Sequence, residues 1–295
     1  MKSLQGLGVA LVTPFNKDGT VDFPSLDKLV NYTIEGGVDY LVVLGTTAES
    51  ATLNETEKKQ VIDRIKKSNN NRLPLVLGIG GNNTAEVIRQ IQSADLDDFA
   101  AILSISPYYN KPTQEGIYQH YKAISENSTK PVIIYNVPGR TSSNVEASTT
   151  LRLANDCKNI VAIKEASSHF SQSTDIIKDK PSDFIVTSGD DEFALPMTLA
   201  GGSGVISVIG QGLPEQVSAM IHRGLERKVD DAYKIHYRLQ NLFRLIFVEG
   251  NPAGIKALLS LKGICQPYTR LPLVPASREL TAKIEKELDK ISVLA

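Results

Sequence analysis

Eight short apolar runs rich in Val, Ile and Leu punctuate the first two-thirds of the chain, at residues 8–14, 40–45, 73–80, 100–106, 131–138, 160–164, 184–189 and 204–208. Each is too short for a buried helix. Near-continuous apolarity, rather than strict alternation, predicts parallel strands covered on their outer side. Between them the period changes. Leu26, Leu29, Val30 and Ile34 fall at helical spacing, and Asn54 with Glu57 has the form of a capping box ahead of Val61, Ile62 and Ile65. The same cap-plus-stripe pattern follows Thr84 (Val87, Ile88, Ile91), Thr113 (Ile117, Tyr121, Ile124) and Asn144 (Leu151, Leu153). Strand and helix alternating eight times predict an α/β protein with a closed (β/α)8 TIM barrel; an open doubly wound sheet is the alternative.

Beyond Val208 the pattern is helical only, over residues 216–225, 231–246, 252–261 and 277–288. The first of these is expected to close the barrel, which then occupies residues 1–225, and the rest to form a helical appendage over 226–295. With no Gly/Ser-rich or Pro-rich linker between the two, the appendage should pack on the barrel.

Composition narrows the class. In 295 residues, 41% hydrophobic and 22% charged, the chain has a globular composition, which excludes disorder as its main state. Lys plus Arg at 32 against Asp plus Glu at 33 gives no overall field toward nucleic acid or an anionic membrane. Cys157 and Cys265 are too few for a disulfide scaffold and suit a reducing compartment. The uncharged stretch 3–16 behind Lys2 mimics a signal peptide, but Gly6, Gly8 and Pro14 interrupt it and no small-x-small cleavage site follows. Residues 193–214 lack charge, yet Pro196, Gly201, Gly202, Gly204, Gly210, Gly212 and Pro214 divide them into a helical piece and a strand. A soluble, cytoplasmic protein is expected.

Reacting groups in such barrels project from the C-terminal ends of the strands. Lys164 closes the run at 160–164, where alternation puts it on one side with Ile160 and Ala162. If that side is the interior, burial favours the neutral, nucleophilic amine, which can attack a ketone and form a Schiff base. The alternative is a lysine paired with a neighbouring carboxylate. Tyr135, on the adjacent strand with Ile133, is either core or a proton-transfer partner for that amine. Thr46 and Thr47 follow strand two as turn hydroxyls or ligands, and Arg140, after Pro138-Gly139, is either a solvated charge or a fork for a carboxylate. His120, His169, His222 and His236 show no metal-ligand spacing, so no metal is assigned. Gly78-Ile79-Gly80-Gly81 and Gly201-Gly202-Ser203-Gly204 read as tight turns, not phosphate loops.

Six motifs, in order, carry a resemblance: Gly45-Thr46-Thr47-Ala48-Glu49-Ser50, Pro107-Tyr108-Tyr109-Asn110, Tyr135-Asn136-Val137-Pro138-Gly139-Arg140-Thr141, Ile163-Lys164-Glu165-Ala166, Ser188-Gly189-Asp190-Asp191 and Gly204-Val205-Ile206-Ser207. Together with Asn251-Pro252 in the tail, they make the whole chain resemble the dihydrodipicolinate synthase family. The resemblance implies a class I aldolase-type lyase that condenses pyruvate with L-aspartate 4-semialdehyde in the diaminopimelate route to lysine. It implies an imine between Lys164 and pyruvate and no separate cofactor. Tyr135 is then the central acid/base, and Thr47 links it to a Tyr109 lent by a neighbouring subunit. Arg140 holds the semialdehyde carboxylate, Thr46 and Thr47 bind the pyruvate carboxylate, and the backbone of Gly189 and Ile206 completes the wall. A homo-oligomer is implied, a tetramer built as a dimer of tight dimers.

The resemblance also implies a lysine-binding regulatory pocket at Ser50, Ala51, Asn82, Glu86 and Tyr108, flanked by Glu55 and Lys58. Glu55 and Lys58 stand where lysine-sensitive enterobacterial forms carry histidines, and a cation at Lys58 should repel a cationic ligand, so weak or absent feedback is expected. The nearest rivals are N-acetylneuraminate lyase and the 2-keto-3-deoxy sugar acid aldolases, which share the lysine and tyrosine. Thr47 and Gly139-Arg140 speak against them. A catalytically silent keto-acid-binding barrel would show gaps among Thr47, Tyr109, Tyr135 and Lys164, and all four are present.

Overall fold

The computed structural model describes residues 4–167 and 169–292; Lys2 and Ser3 of the leader-like stretch lie outside them. Eight parallel strands close into a barrel in chain order, β1 (Gly6–Ala10), β2 (Tyr40–Val43), β3 (Leu75–Gly78), β4 (Phe99–Ile105), β5 (Val132–Asn136), β6 (Ile160–Glu165), β7 (Ile185–Ser188) and β8 (Gly204–Ser207), with β8 pairing back to β1. The open-sheet alternative is excluded. Helices fill the crossovers: α1 (Phe23–Glu35), α2 (Glu55–Asn69), α3 (Thr84–Ser93), α4 (Gln114–Glu126), the short α5 (Pro138–Thr141), α6 (Ala147–Asp156), α7 (Phe170–Asp179), α8 (Ala194–Leu199) and α9 (Pro214–Leu225).

Two apolar cores result from the two faces of the strands. The larger lies between strands and helices and holds Leu7, Leu41, Leu75, Ile134 and Ile163; the smaller, inside the barrel, holds Tyr40, Val42, Leu103, Ile133, Tyr135, Ala162 and Ile206. Burial on both faces explains the continuous apolarity of the runs. Tyr40 fills the interior because Gly8 faces it: a Cβ there would stand 2.2 Å from the ring.

The differences from expectation are local. The first strand ends at Ala10, and residues 11–14 stay buried: the Leu11 N–H still reaches the Val42 carbonyl at 3.2 Å, while the Val12 N–H turns to Gln211 Oε1 at 2.8 Å. The cap of α3 is Asn83, whose side chain accepts from the Glu86 N–H, rather than Thr84. Glu146, not Asn144, precedes α6, because the Asn144 side chain is bonded to Asn136 and Gln172. Asn54 and Glu57 do form a capping box, and Thr113 caps α4. Helix α7 is short and mostly polar, with only Phe170, Ile176 and Ile177 apolar, so no stripe marks it in the sequence.

The most consequential departure is a register shift between β5 and β6: Val132 pairs with Ile160 but Ile133 pairs with Ala162, skipping Val161. Ile160 therefore joins the outer core while Ala162 and Lys164 face inward, so the expected shared side for Ile160 and Lys164 does not hold.

The remaining helices are α10 (Val229–Leu245), α11 (Ala253–Leu261) and α12 (Arg278–Ser292). α10 packs on α9 and α8, and α12 on α10 and α11. The uncharged stretch at 193–214 resolves into α8, β8 and a short 3-10 turn at Ile209–Gln211. Among the described residues, no helix is long and apolar enough to cross a membrane.

Candidate active site

A cavity of about 380 Å³ opens at the C-terminal mouth of the barrel. Strand ends supply Ala10, Leu103, Tyr135 and Lys164; the loops after β2, β5, β7 and β8 supply Thr46, Thr47, Arg140, Gly189, Asp190 and Val208; the segment joining α10 to α11 adds Phe247, Gly250 and Asn251. The helical appendage thus helps to build the site.

The shifted register sets Tyr135 directly opposite Lys164, with Asn136 opposite Glu165. Lys164 is 4% exposed, and its Nζ stands 4.2 Å from the centre of the Tyr135 ring. Among the described residues no carboxylate lies within ion-pair distance of it. The paired-lysine alternative is met instead by Lys256, fully buried, with Nζ 2.5 Å from Glu49 Oε1 and 2.8 Å from the Tyr268 carbonyl. Burial lowers the Lys256 pKa, opposed by the Glu49 charge.

That buried pair braces the threonine turn. Thr46–Ala48 form a 3-10 turn that ends at Glu49 in a left-handed conformation (φ 54°), and Glu49 Oε2 also accepts from the Arg270 N–H at 2.9 Å. Thr47 is buried, and its Oγ1 accepts a hydrogen bond from Asn251 Nδ2 at 2.9 Å. Receiving that N–H on oxygen leaves the Thr47 hydroxyl proton free to be donated into the cavity. Asn251 was noted in the sequence only as part of a motif; nothing local marks it as a contact of a turn 204 residues away.

Gly189 leaves space for the lysine: a Cβ would stand 2.9 Å from Lys164 Cε and 2.7 Å from Ala166 Cβ. Ile206 is buried in the barrel interior and does not line the cavity; Ala10, Leu103 and Val208 do. Arg140 is exposed in α5 at the rim, its guanidinium 3.5 Å from the Asn251 carbonyl. Tyr109 is not brought to this chain's own cavity: it stands 88% exposed with φ 72°.

Two acids follow β7. Asp190 lines the cavity and its pKa is raised by burial. Asp191 is buried beneath and clamps the end of β8, accepting from the Ser207 hydroxyl at 2.5 Å and from the N–H groups of Val208 and Ile209 at 3.1 and 3.0 Å. Burial pushes its pKa up to about 6 against those bonds. Sequence reading had given neither acid a role.

The expected regulatory residues lie apart from the cavity, at the surface. Lys58 is paired with Glu55 at 2.8 Å, so its charge is locally compensated. Glu86 is bound by Arg89 and Gln90, which hold its carboxyl at about 2. Asn82 Nδ2 donates to the Tyr108 carbonyl at 3.1 Å, and Ser50 and Ala51 belong to a separate 3-10 turn at Ser50–Thr52.

A profile of the dihydrodipicolinate synthetase family matches residues 3–291. A protein of Flavobacterium psychrophilum named 4-hydroxy-tetrahydrodipicolinate synthase is 56% identical over 293 residues, covering 98% of this chain and 100% of that one. Among solved structures, dihydrodipicolinate synthase from Thermotoga maritima superposes with a TM-score of 0.94 at 39% identity, covering 97% of this chain and 98% of that one. The Acinetobacter baumannii enzyme, complexed with pyruvate, superposes with a TM-score of 0.93 at 40% identity over 97% and 98%. With a family profile matched nearly end to end and relatives this similar over full length, the chain is an enzyme that belongs to the dihydrodipicolinate synthetase family.

Proposed function

We propose that this chain is a 4-hydroxy-tetrahydrodipicolinate synthase that joins pyruvate to L-aspartate 4-semialdehyde through an imine on Lys164. The observation that carries the reading is the Lys164 amine, buried, without an acidic partner among the described residues, and 4.2 Å from the Tyr135 ring at the mouth of a cavity. Once its proton has been passed on, the amine attacks C2 of pyruvate, and the carbinolamine loses water to give an imine. Protonated, the imine nitrogen draws electrons from C3, so that losing a C3 proton yields an enamine without a separate cofactor. C3 then bonds to the aldehyde carbon, whose oxygen takes up a proton. Attack of the semialdehyde's own amine on C2 closes a six-membered ring and releases Lys164.

Each proton step needs a nearby donor and acceptor, the role fitted by the Tyr135 phenol and the Thr47 hydroxyl. The hydroxyls of Thr46 and Thr47 bind the pyruvate carboxylate, Gly189 gives the lysine stem room, and Arg140 at the rim takes the carboxylate of the second substrate. Tyr109, exposed and outside its own cavity, suits a relay lent to a second copy, which makes a dimer the smallest complete unit and a dimer of dimers the expected assembly. The two buried free cysteines fit a reducing, cytoplasmic setting.

Borohydride reduction in the presence of pyruvate, followed by peptide mass mapping, tests the mechanism. A pyruvate-derived adduct on the peptide containing Lys164 is expected; its absence refutes the reading.

A further inference from the structure

We propose that Glu165 is a positioning residue: its buried carboxylate, behind the barrel wall, sets the Lys164–Tyr135 spacing and docks the loop that carries Arg140. This rests on the roles given above to those three residues. The register that turns Tyr135 and Lys164 inward turns Asn136 and Glu165 outward, directly opposite one another. Both are almost wholly buried, at 0% and 1% exposure. Glu165 is bound by neutral N–H donors. Asn136 Nδ2 reaches Oε1 at 3.1 Å and Oε2 at 2.9 Å, the Ser167 N–H reaches Oε1 at 2.6 Å, and Gln172 Nε2 reaches Oε2 at 2.9 Å.

A carboxylate at the centre accepts on every side, which dictates the orientation of every amide around it. Asn136 must present its NH2 to Glu165, so its carbonyl is turned to the Val145 N–H, at 3.0 Å. Gln172 must do the same, and its carbonyl oxygen accepts from Asn144 Nδ2 at 2.7 Å. Asn144 and Val145 end the loop that begins at Val137 and contains Arg140. One buried charge therefore ties the backbone one residue past the amine to that one residue past the phenol, and both to the arginine loop.

Glu165→Gln keeps the shape but places an NH2 against N–H donors on one side. Such a donor–donor contact pushes the strands or the loop apart, and a displacement near 1 Å of reacting groups costs on the order of a hundredfold in rate. Three variants are compared: Glu165→Gln, Glu165→Asp and Gln172→Ala. The measurements are thermal unfolding, the rate of borohydride-trapped pyruvate adduct, kcat, and KM for the aldehyde. Glu165→Gln is expected to fold, to slow trapping and kcat by about tenfold to a hundredfold, and to raise the aldehyde KM. Glu165→Asp, which keeps an acceptor-only group, recovers part of the rate. Gln172→Ala, on the loop side of the network, raises the aldehyde KM more than it slows trapping. Folded Glu165→Gln with wild-type trapping and kcat overturns the proposal, even if it melts earlier. If Glu165→Gln fails to fold, an unchanged aldehyde KM in Gln172→Ala overturns it. Failure of wild-type protein to give any Lys164 adduct would instead remove the reaction assigned above.

Discussion

Gly189→Ala is the sharpest test of how the amine is held. Gly189 does not have a positive φ, so the backbone itself accepts alanine and the effect is steric. The new Cβ would stand 2.7 Å from Ala166 Cβ, 2.9 Å from Lys164 Cε and 3.0 Å from Lys164 Cγ. Carbon atoms rest at about 3.5–4.0 Å, so roughly 0.5–1 Å must be absorbed. Ala166 Cβ is fixed to backbone and cannot retreat; the lysine stem can, but the Tyr135 ring lies 4.2 Å from its Nζ. Overpacking of this kind costs about 1–3 kcal/mol of stability. If Lys164 is the nucleophile proposed above, displacing it should lower the trapping rate and kcat by about a hundredfold, about 2.7 kcal/mol of barrier. Stopped-flow or quenched trapping with pyruvate, alongside a thermal melt, separates the two effects. A variant that melts earlier yet forms its adduct at the wild-type rate would refute the claim that Gly189 makes room for a correctly placed amine.

Asp191 makes a prediction about pH. Its folded-state pKa of about 6, raised by burial from 3.8, means that the folded protein keeps a proton the unfolded chain releases. Stability from this group is therefore fullest below about pH 4 and falls as pH rises through 6, by at most about 3 kcal/mol. Asp191→Asn removes that slope while keeping an oxygen for the Val208 and Ile209 N–H groups. His120, pushed down to about 4 by burial, acts in the opposite sense, losing stability as pH falls from 6.5 toward 4. The difference between wild-type and variant urea midpoints from pH 4 to 7 isolates Asp191, and parallel curves would count against it. For regulation, the Lys58–Glu55 pair and the Arg89-bound Glu86 leave no unpaired acid among the expected pocket residues to attract a cation. Steady-state assays should show no strong inhibition at micromolar lysine; strong inhibition there would reverse the charge argument.

The eight strands were legible because a parallel barrel strand is buried on both faces, which leaves an apolar run that no exposed element would carry. Caps at Asn54 and Thr113 were legible because capping is a contact between residues three apart. Asn144 failed as a cap for the opposite reason: its side chain is claimed by Asn136 and by Gln172, 28 residues away. Asn251 escaped notice likewise, since its bond to Thr47 exists only once the appendage has folded over the barrel mouth.

The order of apolar runs and their motifs was enough to determine the barrel and the family and to single out Lys164, Tyr135, Thr47 and Arg140 as candidates, because hydrophobic period and residue chemistry are properties of the chain itself. Only the tertiary structure decided that Tyr135 faces Lys164. Simple continuation of the Val132–Ile160 pairing would have put Ile163 there, and the residue skipped at Val161 prevents it. A register shift costs nothing that local sequence records; it is set by how the two strands pack between the inner and outer cores.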